Sequence, residues 1–280
     1  MRIFRTTGGR LRPGWYCLMA VGGLVASVVA GMVAALAAGL VPGVPEVAAV
    51  VGVDVVMALL AVSLVGGARR FVDRRPGGEP GLGFTARVVP QVLVGLAAGF
   101  LVIVVADGLC VVLGAARWEV RLTADRVVVV VAGALLAQAV PEELWFRGYL
   151  FRNLSAVWRP GTALVVSSLV FGVLHIVSHS EAVTLTERVL YVAQAAVMGG
   201  LLVVCRIAGG DLWLPIGVHA GHNIAAGSFI APGAGLYAVM LGCEMVVMAA
   251  VAWIVLRSRP SGQRLPVNRL PATPPGSAPQ

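Results

Sequence analysis

Charge is what this chain has least of. Across 280 residues, 12% are charged and 59% are hydrophobic, too little polar surface to coat a soluble globule. The composition excludes a soluble enzyme or binding domain and predicts an integral membrane protein. Lysine is absent, so the formal net charge of +8 rests on arginine alone. Those arginines lie in the gaps between apolar runs, a pattern that reports topology and argues against a nucleic-acid partner. The cysteines Cys17, Cys110, Cys205 and Cys243 each sit inside an apolar stretch and form no C-x-x-C pair, so buried packing is their reading. The sequence shows no internal repeat, no soluble second domain and no H-E-x-x-H zinc-protease signature.

Long apolar runs are what the chain has in abundance. Against a need of about 20 residues per spanning helix, runs occur at about 15–40, 47–67, 88–114, 127–151, 161–178, 188–208, 213–230 and 235–257. They predict an all-α, polytopic membrane helix bundle of about eight transmembrane helices. A single integral membrane domain is expected over 1–257, with the core that carries the three motifs considered below at about 127–230. An even count puts both termini on one side. The first run follows Arg2, Arg5, Arg10 and Arg12 but is far longer than the h-region of a cleavable signal peptide, so it is read as a retained helix.

Arginine placement orients the bundle. One set of gaps holds the N-terminal arginines, Arg69, Arg70, Arg74, Arg75 and Arg87, then Arg152 and Arg159, then Arg206, and finally Arg257, Arg259, Arg264 and Arg269. These gaps are expected in the cytoplasm. Of the opposite gaps only that at Ala115–Arg126 is clearly basic, through Arg117, Arg121 and Arg126, partly offset by Glu119 and Asp125. A multi-pass cell-membrane protein with both termini cytoplasmic is the expectation. Rich in Pro, Ser and Gly, residues 258–280 are expected to form a disordered cytoplasmic tail.

Three motifs interrupt the greasy pattern: Glu142-Glu143-x-x-x-Arg147, Phe171-x-x-x-His175 and His219-x-x-x-Asn223. Ionisable groups inside spans are costly and mark function by default. Glu143 and Arg147 are four apart and share a helix face at ion-pairing distance, while Glu142 is rotated by about 100°. Two adjacent carboxylates can therefore hold different jobs. Taken singly, the acids and Arg147 also read as a charge cluster that locks helix packing, and His175, or His219 with Asn223, as polar glue between helices. Together they supply a base, a second base or ligand, and imidazole and carboxamide donors for an oxyanion, the parts needed to hydrolyse an acyl bond.

In order and spacing these motifs resemble those of the CAAX protease and bacteriocin-processing (CPBP) family of intramembrane proteases. The match runs through Glu142-Glu143-Leu-Trp-Phe-Arg147, Phe171-Gly-Val-Leu-His175 and His219-Ala-Gly-His-Asn223 and covers about Leu136 to Ile230. The resemblance implies a membrane-sunk catalytic cavity and an intramembrane endopeptidase acting on a membrane-embedded or membrane-associated protein or peptide. It implies that Glu142 and His175 activate water, that His219 and Asn223 stabilise the oxyanion, that Glu143 and Arg147 brace the site, and that Phe171 shapes the pocket.

Glu142, His175 and His219 also form the two-histidine, one-carboxylate set of a catalytic zinc. A metal-free site is favoured, because Asn223 is a poor zinc ligand and a good oxyanion donor. The alternative from another class is a non-enzymatic membrane protein, a bacteriocin-immunity or transporter-like factor keeping the motif for structure, with Asp54 and Asp107 as proton-relay candidates. His179 and His222 receive no role from the sequence. By rise alone His219 lies about 9 Å from the cytoplasmic start of its helix and His175 about 21 Å from the start of its own, so tilt or offset must bring them level.

Overall fold

The computed structural model describes residues 11–39, 43–74, 81–226, 228–233 and 236–258. The expected disordered tail from 259 onward, and Arg2, Arg5, Arg10, Arg75, Arg259, Arg264 and Arg269, lie outside the described residues.

All eight apolar runs become helices: α1 Pro13–Gly39, α2 Glu46–Val72, α3 Val88–Val112, α4 Val127–Ser155, α5 Pro160–Val177, α6 Leu185–Gly209, α7 Trp213–Ala225 and α8 Tyr237–Arg257. Seven are long and apolar enough to cross a membrane. The exception is α7, whose 13 residues rise about 20 Å. The expected run 213–230 thus ends as a helix at Ala225, and the chain continues through β2, Ile230–Pro232. That strand pairs antiparallel with β1, Ala116–Trp118, which follows α3. Backbone bonds from the Glu119 and Arg121 N–H groups to Phe229 and Ser228 extend the pairing. The chain after α7 therefore reaches the same end of the bundle as the chain after α3.

The span-forming helices turn Leu and Val outward, as at Leu18, Val29, Leu36, Leu59, Leu101, Val105 and Val246. In a bilayer this is the solvated face. On α4 the polar and aromatic side chains turn inward: every residue from Leu144 to Phe151 is buried. Trp145 packs on α1, where a Cβ at Gly23 would overlap its ring, and its Nε1–H donates to Ser27 Oγ at 3.4 Å.

Glycine decides where α7 sits. Gly95 and Gly99 on α3 face Gly217 and Gly221 on α7 with the two helices running parallel, so that small-x-x-x-small spacing occurs on both sides of one interface. A Cβ at Gly99 would overlap the Val218 carbonyl, and one at Gly221 the Leu96 carbonyl. Backbone lies on backbone, and neither side can yield by a rotamer change. Pro215 to His222 are buried without interruption, which makes α7 the enclosed helix of the bundle. Gly99→Ala is expected to cost about 1–3 kcal/mol by overpacking, read as a lowered thermal midpoint, whereas Gly22→Ala, in open space on α1, should leave it unchanged.

Within α4, Pro141 has no N–H to donate and its ring would crowd the carbonyl one turn earlier. The helix accommodates it by widening into π-helical turns at Gly133–Ala139 and Leu144–Phe151 on either side of Val140–Glu143. Such turns recur at functional sites. The widening leaves Glu143 fully buried and the Glu142 side chain 20% exposed. The α6 start is fixed by a capping box, Thr184 Oγ1 accepting from the Glu187 N–H while Glu187 Oε2 accepts from the Thr184 N–H.

Candidate active site

Four helices meet at Glu143. Its Oε1 accepts from Arg147 Nη1 at 2.7 Å and from His219 Nδ1 at 2.9 Å, joining α4 to α7. Arg147 also donates from Nη2 to the Gly199 carbonyl of α6 at 3.1 Å, and its guanidinium lies 4.4 Å from the Phe171 ring centroid of α5, a cation–π distance. With Arg147 at 1% exposure and Glu143 at 0%, this pair is dry. Phe171 does more than line a wall: it stacks edge-on against Phe146 at 5.0 Å, stands 6.1 Å from the His219 ring, and its carbonyl pairs with His175 Nδ1 at 2.9 Å.

These bonds set both imidazoles. A carbonyl and a carboxylate only accept, so the Nδ1 of His175 and of His219 carries the proton and each Nε2 is left for other partners. The Nε2 of His219 lies 3.8 Å from Glu142 Oε2, a buried oxygen with no hydrogen-bond partner.

Glu142, His175, His219 and Asn223 line one cavity of about 320 Å³. The offset in helix rise that separated His175 from His219 is thus taken up by the packing. The rim comes from His179, Ser180, Glu181 and Tyr237, in the α5–α6 connection and at the start of α8. That is the end of the bundle opposite the arginine-rich gaps. A second, apolar groove of about 280 Å³ shares Glu142 and His175 with the cavity and is walled by Leu24, Val25 and Val28 of α1 and by Phe146 and Leu174.

The cavity also holds polar residues that carry no pattern in the sequence. Asn223 is gripped at both ends of its amide: Oδ1 accepts from His222 Nδ1 at 3.1 Å, and Nδ2 donates to Gln138 Oε1 at 2.7 Å. Beyond His222, its Nε2 faces Gln194 Nε2 at 3.5 Å, and Gln194 donates to Glu244 Oε2 at 2.6 Å. A chain of side chains therefore links α8, α6, α7 and α4 across the cavity. Tyr191 adds a ring 6.0 Å from His175, and its hydroxyl donates to the His179 carbonyl at 3.3 Å. His222 thereby gains a place in the network, and His179 one at the rim.

Not all the polar spans converge. Asp54 and Asp107 are buried in α2 and α3, and neither lines the catalytic cavity. The Oδ2 of each is buried without a hydrogen-bond partner. The four cysteines are free, three of them buried, as packing thiols are.

Zinc takes Glu, His and His readily, and each site histidine holds its outer nitrogen in the manner of a metal ligand backed by a second acceptor. Among the described residues, however, no three His, Cys, Asp or Glu side chains are gathered closely enough to hold a metal ion. The donor set as placed does not fit one.

Fold and site together define a polytopic α-helical membrane protein with an acid–base cluster inside its spans. Residues 124–225, which carry all three motifs, match the type II CAAX prenyl endopeptidase Rce1-like family. The match bears out the resemblance to the CPBP proteases and supports a CAAX-type protease with a membrane-associated substrate. No curated protein matches the chain.

Proposed function

We propose that the chain is an intramembrane endopeptidase that hydrolyses a peptide bond of a membrane-associated protein or peptide. The observation that carries this reading is the convergence of Glu142, His175, His219 and Asn223, from three helices, on one cavity within the spans. Its test is a comparison of membrane-protein fragments in cells carrying the wild type or Glu142→Gln. Fragments present only with the wild type support the reading, and identical fragment patterns overturn it.

In the proposed reaction a water between Glu142 and His175 Nε2 gives its proton to the Glu142 carboxylate. Its oxygen bonds to the substrate carbonyl carbon as the carbonyl π pair moves onto oxygen. Asn223 spends one amide N–H on Gln138 and keeps the other for the oxyanion. His219, with its Nδ1 proton committed to Glu143, donates from Nε2 only as the imidazolium. The charges of Glu142, Glu143, Arg147 and His219 then sum to zero inside the bundle. Collapse of the tetrahedral intermediate breaks the C–N bond, and the proton held by Glu142 passes to the leaving amine. The polar chain Glu244–Gln194–His222 holds Asn223 in register for this step. The shared border of the polar cavity and the apolar groove suits a substrate with a greasy flank beside its scissile bond.

Every step is borne by the chain's own side chains. Purified protein is therefore expected to keep its cleavage activity after exhaustive chelation and to contain substoichiometric zinc. Stoichiometric metal whose removal abolishes activity and whose return restores it would reverse this mechanism.

We further propose that both termini are cytoplasmic, from the arginine asymmetry. The catalytic cavity then opens away from the cytoplasm, since its rim lies at the opposite end of the bundle. Reporter fusions after Arg257 should be active only with a cytosolic reporter, and activity of an extracytoplasmic one would invert both assignments.

A further inference from the structure

The row of side chains that crosses the catalytic cavity has a direction. It starts at Glu244 on α8, beyond the residues that match the family. A carboxylate only accepts, so the edge of Gln194 that lies 2.6 Å from Glu244 Oε2 is its amino edge, Nε2. The same Nε2 lies 3.5 Å from His222 Nε2. An amide nitrogen donates and does not accept, which makes His222 Nε2 the acceptor and puts the imidazole proton on Nδ1. The other side of the ring demands that tautomer independently, because Nδ1 meets Asn223 Oδ1 at 3.1 Å and that oxygen also only accepts. With its oxygen taken, Asn223 turns its amino edge away from His222, and Nδ2 donates to Gln138 Oε1 at 2.7 Å.

This polarity matters because a carboxamide has two edges of nearly one shape and opposite character. Presented amino edge first, Asn223 offers the cavity an N–H; rotated by half a turn, it offers a lone pair that repels an oxyanion. Asn223 itself prefers neither edge, and Gln138 is an amide that can turn with it. His222 can carry its proton on either nitrogen. The group whose polarity is fixed is the Glu244 carboxylate, and Gln194 transmits it by directing one amino edge at Glu244 and His222 together. Gln194 and His222 are 4% and 8% exposed, so solvent has little access to satisfy either in the reverse sense.

We infer that Gln194 is a positioning residue: anchored on Glu244, it fixes the tautomer of His222 and thereby which edge of the Asn223 amide faces the cavity. The use of that edge as an oxyanion donor rests on the protease reading, whereas the direction of the chain does not. The reversal is also specific. In Q194E the introduced carboxyl shares a proton with Glu244 and turns an acceptor oxygen to His222. His222 then donates from Nε2, its Nδ1 accepts from Asn223 Nδ2, and the Asn223 oxygen swings to the cavity.

The test reads the tautomer and the chemistry separately. Full-length protein in detergent, labelled with ¹⁵N-histidine, is examined by NMR, the His222 signals being those that vanish in H222Q. Wild type is expected to carry the proton on Nδ1 and Q194E on Nε2. Against a peptide that the wild type cleaves, Q194E should lose about 10²–10³-fold in kcat, the size of one lost oxyanion donor, with KM little changed. If Q194E does not fold, Q194M serves: it withholds both donors, so His222 should show mixed tautomers and kcat an intermediate loss. A wild-type proton on Nε2, or one tautomer throughout wild type and variant, overturns the inference. So does a tautomer shift that leaves kcat unchanged. If the wild type cleaves nothing while the tautomer still shifts, the protease reading falls and the direction of the chain stands.

Discussion

Glu142→Gln is expected to lower turnover by about 10²–10⁴-fold or more while the protein remains folded. The amide keeps the shape of the carboxylate and cannot take a proton from water. The environment makes the change tolerable, because Glu142 is not in the dry ion pair: its side chain is 20% exposed to the cavity, and its Oε2 has no hydrogen-bond partner to lose. Expression level and thermal midpoint should therefore match the wild type, with kcat carrying the loss and KM little changed. If Glu142→Gln is instead the unstable variant, the base is misassigned and Glu143 takes its place. Normal cleavage by this variant would remove the protease reading itself and leave the motif as a packing device.

Much of this site was legible because membrane sequences are written in few letters. Against a background of Leu, Val, Ala and Gly, the pairs Glu143–Arg147 and Phe171–His175 stand out, and helical spacing places each on one face before any fold is known. The structure honours both, as an ion pair at 2.7 Å and as a ring-to-carbonyl bond at 2.9 Å. What the spacing does not hold is any contact between helices. Gln138, Gln194 and Glu244 are single polar residues without a motif, and their value arises only when Gln194 meets Glu244, 50 residues later, and Gln138 meets Asn223, 85 residues later. Buried polar groups in a bilayer must find such partners, so lone Gln and Glu residues within spans were the available signal.

Run length misled at one place, and for a physical reason. Hydropathy counts apolar residues whether they face lipid or protein, so the run over 213–230 reads like a span although α7 holds only 13 residues and ends at Ala225. Its glycines told a different story: Gly217 and Gly221 repeat the spacing of Gly95 and Gly99, and that match fixes α7 against α3 instead of against lipid. An enclosed helix need not be as long as the bilayer is thick, since protein covers its ends. This enclosure is also what gives the site its dryness, for His219 and His222 ride on the buried stretch of α7.

Glu143→Gln should fail differently from Glu142→Gln, through stability. Among the described residues Glu143 is the acid that pairs with Arg147, a guanidinium at 1% exposure, and its Oε1 also accepts from His219. Removing the charge leaves Arg147 buried beside an amide and Phe171, and breaking a buried pair from one side typically costs about 3–5 kcal/mol. Loss of that size is comparable with the whole stability of many domains, so expression and thermal midpoint should fall along with activity. The discriminating experiment is the double variant Glu143→Gln/Arg147→Met. Met fills apolar space without a charge, so the double variant should regain part of the lost stability while His219, deprived of its carboxylate, stays catalytically poor. A coupling energy between the two positions of about 1–3 kcal/mol is expected from the four-member cycle. If Arg147→Met only adds to the damage of Glu143→Gln, then Arg147 is held by the Gly199 carbonyl and the Phe171 ring, not by Glu143, and the brace assigned to the pair dissolves.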